Sequence, residues 1–410
     1  MTATLATRAA IWPALVVLAV LVLLPVGRAA EAAIGLGAIF ALILLVRRRL
    51  DPRDGPYRLA LLLFACYWLP TLLSGIAAVE PGKTWATVAT TLRFLPFALF
   101  AVWALRDAAM WPALIAAIGA LVLLWVLDAY VQIATGYSLG GAAEAERLSG
   151  IFGAGNLKLG PALATLSPFV LLAARERFRL RGLAVAAVLL IAPILLSGSR
   201  AAWLSYALVC LLIAWRETRS KRHFVVAAAA LCVGVAGIGA LALHDSAGFG
   251  ARIERSLLVL RGTEAAVDEA SAGRLSIWRT AIAMTVAHPL TGVGARGFRY
   301  AYPRYAAPGD RFVDTSSDTG ASHAHQIVLE VLSETGVAGL ALWLAGVCVA
   351  VRAWLRATAA ARSRALAPGL ALVAMCFPLN THLAFYSAWW GLLFWWLLAL
   401  YCAALAARED

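Results

Sequence analysis

The chain has 410 residues, 62% of them hydrophobic, and a mean hydropathy of +0.83. That composition excludes a soluble domain of this size, because apolar runs near the roughly 20 residues needed to cross a bilayer recur along its length. The net charge of +13 does not imply nucleic acid, since the cations sit in short connections between apolar runs and no basic patch is interleaved with aromatics.

Long apolar segments satisfy their backbone polar groups only as helices. The expected class is therefore all-α, a polytopic membrane protein with about twelve transmembrane helices and one large, partly helical loop. The first run, "IWPALVVLAVLVLLPVG", imitates a signal peptide, but no small-residue cleavage pattern leads from it into a soluble domain, so it reads as a retained span. Residues 1–243 are expected to hold spans 1–9, at 11–27, 32–46, 58–78, 85–105, 110–131, 157–174, 182–197, 201–215 and 223–243. Residues 244–324 form the loop domain, and 325–410 hold spans 10–12 at 325–350, 367–383 and 386–406.

Four basic clusters orient these spans: Arg47, Arg48, Arg49, Arg53 and Arg58; Arg175, Arg177, Arg179 and Arg181; Arg216, Arg219, Lys221 and Arg222; Arg352, Arg356, Arg362 and Arg364. The positive-inside bias assigns them to the cytoplasm. Both termini are then cytoplasmic, and the connections at 28–31, 79–84, 132–156, 198–200, 244–324 and 384–385 face outward. The six cysteines all fall in apolar segments without CxxC spacing, which disfavours a disulfide framework or a cysteine metal site. No internal repeat is visible, and this weakens a transporter reading.

Candidate chemistry begins with "RLSGIFGAGNLKLG", where Arg147 and Asn156 approach a span from the outer side and suit a polar headgroup. Lys158 there reads as a snorkelling charge. In "LLSGSRAAWLS", Arg200 is either another snorkelling charge or an anion site. The small residues Ser197, Gly198 and Ser199 and the outward position favour the anion site. The stretch "EAAVDEASAGRLSIWRTAIAMTVAHPL" has helical apolar spacing at Leu275, Trp278, Ile282 and Val286, with a stop at Pro289. Arg274 follows Gly273 at the helix start, where backbone N–H groups also attract anions. An arginine fork suits bidentate phosphate contact. Arg279 fits a solvated face and is retained among the substrate-binding candidates. Gly292, Gly294 and Gly297 spell a dinucleotide fingerprint without the surrounding βαβ unit, and read as a turn with close backbone packing.

The segment "SHAHQIVLEVLSETGVAGLALWLAGV" places His323, His325, Gln326, Glu330 and Glu334 at the mouth of a span. With Ser322 as N-cap, His325 takes the third helical position. The helix dipole there favours a neutral imidazole able to accept a proton. Glu330 and Glu334 share a helix face as intramembrane acids, functional suspects by default, or else partners for a buried arginine such as Arg93. The spacing of His323 and His325 splits them across a helix, so metal is disfavoured, and the chain holds no D-x-D motif for a metal-held nucleotide sugar.

These residues resemble the O-antigen ligase family, related to O-antigen polymerases and bacterial O-oligosaccharyltransferases. The pattern is a histidine, then Gln, nine residues and G-x-x-G: His325-Gln326 and Gly336-Val-Ala-Gly339. "GRLSIW", "HPLTGVGARGF", "RLSGIFGAGN" and Ser199-Arg200 look like the family too. The resemblance covers about 145–340. It implies a metal-independent glycosyltransferase with no cofactor, in the bacterial inner membrane with its site facing the periplasm. The donor would be a polysaccharide on undecaprenyl pyrophosphate and the acceptor a sugar hydroxyl of lipid A–core, completing lipopolysaccharide among membrane lipids. The roles implied are catalytic for His325, Arg200 and Arg274, and substrate-binding for Arg147, Asn156, Gln326, His323, Arg279 and Glu330. A polymerase using the same donor, or a lipid-linked glycan flippase, is the alternative. The chain stops soon after the last apolar run, which disfavours a protein acceptor.

Overall fold

A computed structural model describes residues 11–143, 147–218, 220–245 and 247–409, so Arg219 of the third basic cluster lies outside the described residues. The chain is 74% helical with almost no sheet, an all-α polytopic membrane protein. Among the described residues, seven helical stretches are long and apolar enough to cross a membrane. The chain divides into two compact units. One comprises Met1–Trp111, Ser271–Gly369 and Leu383–Asp410, and the other Pro112–Ala270 and Leu370–His382.

The first unit begins with α1 (Trp12–Leu23), α2 (Ala30–Val46), α3 (Gly55–Ser74), α4 (Pro81–Thr91) and α5 (Phe94–Ala104). Prolines at the first positions of α1, α3 and α4 start helices without losing a hydrogen bond. The predicted span 85–105 is interrupted between α4 and α5. Pro96 has no N–H for the carbonyl one turn back, at Leu92, and the helix is divided there. The last helix of the chain, Ala388–Ala406, is apolar all round and buried along nearly its whole length. Its Trp395 stacks on Phe94 with ring centres 6.0 Å apart, and its Trp396 indole donates to the Val17 carbonyl at 2.8 Å.

The second unit opens with α6 (Trp111–Thr135), whose first residue belongs to the other unit, and a short hairpin of β1 (Tyr137–Ser138) and β2 (Gly141–Ala142). Helix α7 (Leu159–Leu196) is two predicted spans in one, broken at Arg179 (φ 59°, ψ −149°). A Cβ on Gly160 would fall 2.0 Å from Ser197 Oγ, and one on Gly182 2.4 Å from the Ala174 carbonyl. Its start therefore lies against its end, and the arginine-rich bend reverses the chain. Then come α8 (Arg200–Glu217), α9 (Lys221–Asp245), α10 (Ala247–Leu257) and α11 (Glu264–Ala270).

Back in the first unit are α12 (Arg274–Ala287), α13 (Phe298–Tyr305) and α14 (Ile327–Arg356), followed by α15 (Ala359–Met375), which passes into the second unit, and α16 (Ala388–Ala406). Every predicted span overlaps helical residues, the fourth divided between α4 and α5 and the sixth and seventh merged in α7. The eleventh is shifted: α15 starts at Ala359, where the Thr358 hydroxyl accepts the Ala361 N–H, and stops eight residues before the predicted end. The hydropathy window had shunned the Arg362 and Arg364 turn, which the helix tolerates at its end. The helix start expected at Gly273 and Arg274 is where the structure begins α12. Ala272 (φ 60°) and Gly273 (φ 80°) separate it from α11. The core face of α12 is Ile277, Ala281 and Met284, whereas Ile282 and Val286 are exposed. Both faces carry apolar residues, so spacing alone did not choose between them.

Candidate active site

Helix α14 is the organising element of the first unit. Gly336 (φ 68°, ψ −169°) interrupts it in a backbone region open essentially to glycine alone. An interruption inside an apolar span orphans backbone groups that lipid cannot satisfy. The segment before α13 supplies the partners. Val293 and Gly294 donate to the Ser333 and Glu334 carbonyls at 2.8 and 3.0 Å, and Val337 and Ala338 donate to the Pro289 and Leu290 carbonyls at 2.8 and 3.3 Å. This closeness explains the glycines. A Cβ on Gly336 would sit 2.3 Å from the Leu290 carbonyl, and one on Gly292 2.4 Å from the Glu334 backbone. The fingerprint-like glycines thus serve close backbone packing.

Glu334 has no exposed surface, and one of its carboxylate oxygens accepts the Arg296 backbone N–H at 2.7 Å. Glu330 is equally buried, near the backbone of Phe385 and Tyr386, with no hydrogen bond of normal geometry to a described residue. Neither acid pairs with Arg93, whose guanidinium grips Glu31 in a fork at 2.8 and 2.7 Å. That expectation fails because α2 brings a carboxylate closer.

The start of α14 also differs from expectation. Gln326 is its N-cap, with Oε1 accepting the Leu329 N–H at 2.6 Å, so the helix begins after His325 rather than at Ser322. His325 sits just outside it in a left-handed conformation, φ 54°. Its ring lies 3.9 Å, centre to centre, from that of His323. His323 is buried and shares a hydrogen bond with the Ser322 hydroxyl at 2.9 Å, whereas His325 is half-buried.

Arg274 opens α12, with Gly273 as N-cap and the Ser271 hydroxyl accepting its N–H at 3.2 Å. The guanidinium of Arg311 fills the place that a Cβ on Gly273 would take. Two arginines therefore meet a helix N-terminus, an arrangement that favours anions. Arg279, further along, is exposed. The α12 helix and the histidine segment share one apolar cluster, in which Ile277, Ala281 and Met284 pack with Val293, Phe298, Tyr302, Ala321 and Ala324. The Trp278 indole also donates to the Ala324 carbonyl at 3.1 Å. The structure thus seats Arg274 and the His323–His325 pair on a single support. Within that support Tyr302 donates to Asp310 at 3.1 Å, and burial pushes its phenol up to about 12. Nearby, hydroxyl hydrogen bonds from Ser316 and Ser317 hold exposed Asp314 down to about 2.

In the second unit, Ser199 caps α8 by accepting the Ala202 N–H, and Arg200 is the first helical residue. Its guanidinium donates to Ser256 Oγ at 3.2 Å and to the carbonyl of Ala270. Gly198 (φ 73°) lets the Arg252 guanidinium pack against the turn. Leu148 donates to the Leu196 carbonyl at 3.1 Å, so the Arg147 segment borders this same turn, with Arg147 half-buried. Asn156 is engaged in its own loop, donating to the Phe152 carbonyl and accepting the Lys158 N–H.

Residues 185–344 match the family model described as O-antigen ligase. That stretch is similar to the O-antigen ligase family. No curated protein matches the chain. The matched segment takes in Arg200, Arg274, His325, the Gly336 break and the segment that stitches it, while Arg147 and Asn156 lie ahead of it. The match likens this segment to enzymes of glycosyltransferase type. Among the described residues no three His, Cys, Asp or Glu side chains converge as a metal cage requires. Sequence reasoning passed over Arg311 and Arg252. Their glycine partners, Gly273 and Gly198, were the available signal, each sitting directly before a singled-out residue or its cap.

Proposed function

We propose that the protein is an O-antigen ligase. It transfers polysaccharide from undecaprenyl pyrophosphate to a sugar hydroxyl of lipid A–core at the periplasmic face of the inner membrane. The observation that carries this reading is the common seat of Arg274 and His325 on one apolar cluster at the mouth of a broken span, inside the family segment. His325, more accessible than His323 and at the N-terminal end of α14, takes the proton from the acceptor hydroxyl. The hydroxyl oxygen bonds to the anomeric carbon as the carbon–oxygen bond to pyrophosphate breaks, and the electron pair leaves with the lipid pyrophosphate. Arg274 at the α12 N-terminus stabilises that charge, and the resemblance assigns Arg200 in the other unit the same task. The step needs neither nucleotide nor metal.

In purified, normally inserted protein, His325→Ala should lower ligation by about 10²–10⁴-fold. Arg274→Gln and Arg200→Gln should each lower it by about 10²–10³-fold. Full ligation by His325→Ala removes the base role. A deletion strain examined by gel separates ligase from polymerase. Rough lipopolysaccharide with accumulated polymeric lipid-linked glycan supports the ligase, and caps of one repeat unit support the polymerase.

A further inference from the structure

A second concentration of positive charge lies in the first unit, in residues that the transfer step above does not use. Arg28, Lys83, Arg93 and Arg296 line one cavity of about 290 Å³, together with Tyr67 and Tyr386. They come from four places: the α1–α2 connection, the first turn of α4, the break before α5, and the segment that stitches α14. Arg93 is neutralised by its fork to Glu31. The side chains of Arg28, Lys83 and Arg296 make no hydrogen bond or ion pair with any described residue. Glu334 accepts the Arg296 backbone N–H, and the buried Glu330 and Glu334 carboxylates also attract the Arg296 charge without a direct side-chain bond.

Arg28 and Lys83, unpaired with any described residue, and Arg296, offset only by the Glu330 and Glu334 carboxylates, repel one another around one small cavity, and the fold keeps them together at a cost. They also stand where cations are disfavoured. Arg28, Lys83 and Arg296 all belong to connections that the basic clusters place on the outer side, so topology does not require them. Two helix N-termini reinforce the field. Lys83 is in the first turn of α4, and the cavity is also lined by Ser387 and Ala388, the N-cap and first residue of α16. Helices that span the membrane form the walls, since Tyr67 belongs to α3 and Phe94 to α5.

We propose that this cavity binds the phosphate of a phosphorylated lipid substrate, separately from the Arg274 and His325 seat. The two spare charges of Arg28 and Lys83, with the Arg296 guanidinium beside them, match the near-dianionic charge of a phosphate better than the single charge of a carboxylate. The volume is at the lower end for ligand sites and fits a headgroup rather than a whole glycan. The lipid is either the polyprenyl pyrophosphate donor or the phosphorylated glycolipid acceptor. The proposal rests on the ligase reading for the names of these lipids, but not for the binding itself.

The test uses the purified full chain in detergent micelles and native mass spectrometry. The probes are undecaprenyl pyrophosphate, lipid A with both phosphates, and dephosphorylated lipid A. In the triple variant Arg28→Gln, Lys83→Gln, Arg296→Gln, affinity for at least one phosphorylated probe should fall about a hundredfold or more. A control removing equal charge elsewhere, Arg58→Gln, Arg352→Gln, Arg356→Gln, should bind as wild type, and dephosphorylated lipid A should bind all three proteins alike. Loss confined to lipid A assigns the site to the acceptor, and loss confined to the pyrophosphate assigns it to the donor. If the triple variant misfolds, Arg28→Gln alone, in an exposed connection, should cost about tenfold, and Lys83→Arg should retain binding. Unchanged affinity for both phosphorylated probes overturns the site. Binding at this site by a protein that forms no glycosidic product would keep the site and refute the ligase.

Discussion

His325 holds a backbone conformation that costs a residue with a Cβ about 1–2 kcal/mol, and nothing in its own chemistry favours it. Its neighbours impose it. Gln326 starts α14 immediately afterwards, and the Trp278 indole fixes the Ala324 carbonyl immediately before. The indole hydrogen bond is thus a positioning contact between the Arg274 helix and the histidine. Trp278→Phe keeps the ring and loses the donor, and should cost about 1 kcal/mol of stability. Ligation should suffer more, with kcat falling about tenfold or beyond while KM holds, because a misplaced base loses its geometry. Loss of melting temperature with kcat intact would make the bond merely structural. At this scale the sequence was readable where chemistry was unusual. An arginine after a glycine, or a histidine at a span mouth, stands out against an apolar background. Ser322 and Gln326 are both competent caps, however, and no glycine or asparagine announces the left-handed position. The cap was therefore placed four residues early.

The broken α14 shows how an element is made from two distant pieces of chain. Gly336 and Gly339 were visible as a motif, and Gly292, Gly294 and Gly297 as another. That the two motifs are the two sides of one backbone contact was not visible, because hydrogen bonds between segments leave no periodicity in either. The contact yields a sharp contrast between glycines. Gly336→Ala meets both a glycine-only conformation and the Leu290 carbonyl, and should cost about 3 kcal/mol or more. Gly35→Ala, in α2 with open space where its Cβ would go, should be neutral or stabilising by up to about 1 kcal/mol. Melting temperatures of the two variants in detergent would separate them by several degrees. Equal stability would mean that the stitched break is not needed to hold the span. The start of α12 at Gly273 and Arg274 was legible in the sequence, but the Arg311 guanidinium packed on Gly273 was not, because it comes from a distant segment.

Across the whole molecule, hydropathy identified the class, because burial in lipid demands long apolar helices whatever the fold, but among the described residues seven stretches rather than twelve are long and apolar enough to cross a membrane. It did not reveal the division into two units, in which residues 244–270 and 271–324 of the single predicted loop domain fall on different sides. Both units contain long apolar helices, so hydropathy does not mark the border. The charge pattern makes a separate, global claim about orientation. If the four basic clusters are cytoplasmic, the Arg274 and His325 support faces the opposite compartment. A protein with its six cysteines replaced by alanine and a single Thr315→Cys, in the exposed turn of that support, should react with a membrane-impermeant maleimide in intact spheroplasts. The same protein carrying only Asp54→Cys, beside the first basic cluster and equally exposed, should react only after the membrane is opened. The reverse pattern would put the base and Arg274 in the cytoplasm. No periplasmic transfer to a finished glycolipid would then be possible. The outward cations Arg28, Lys83 and Arg296 would become ordinary positive-inside residues, and the four clusters would be the charges in need of an explanation.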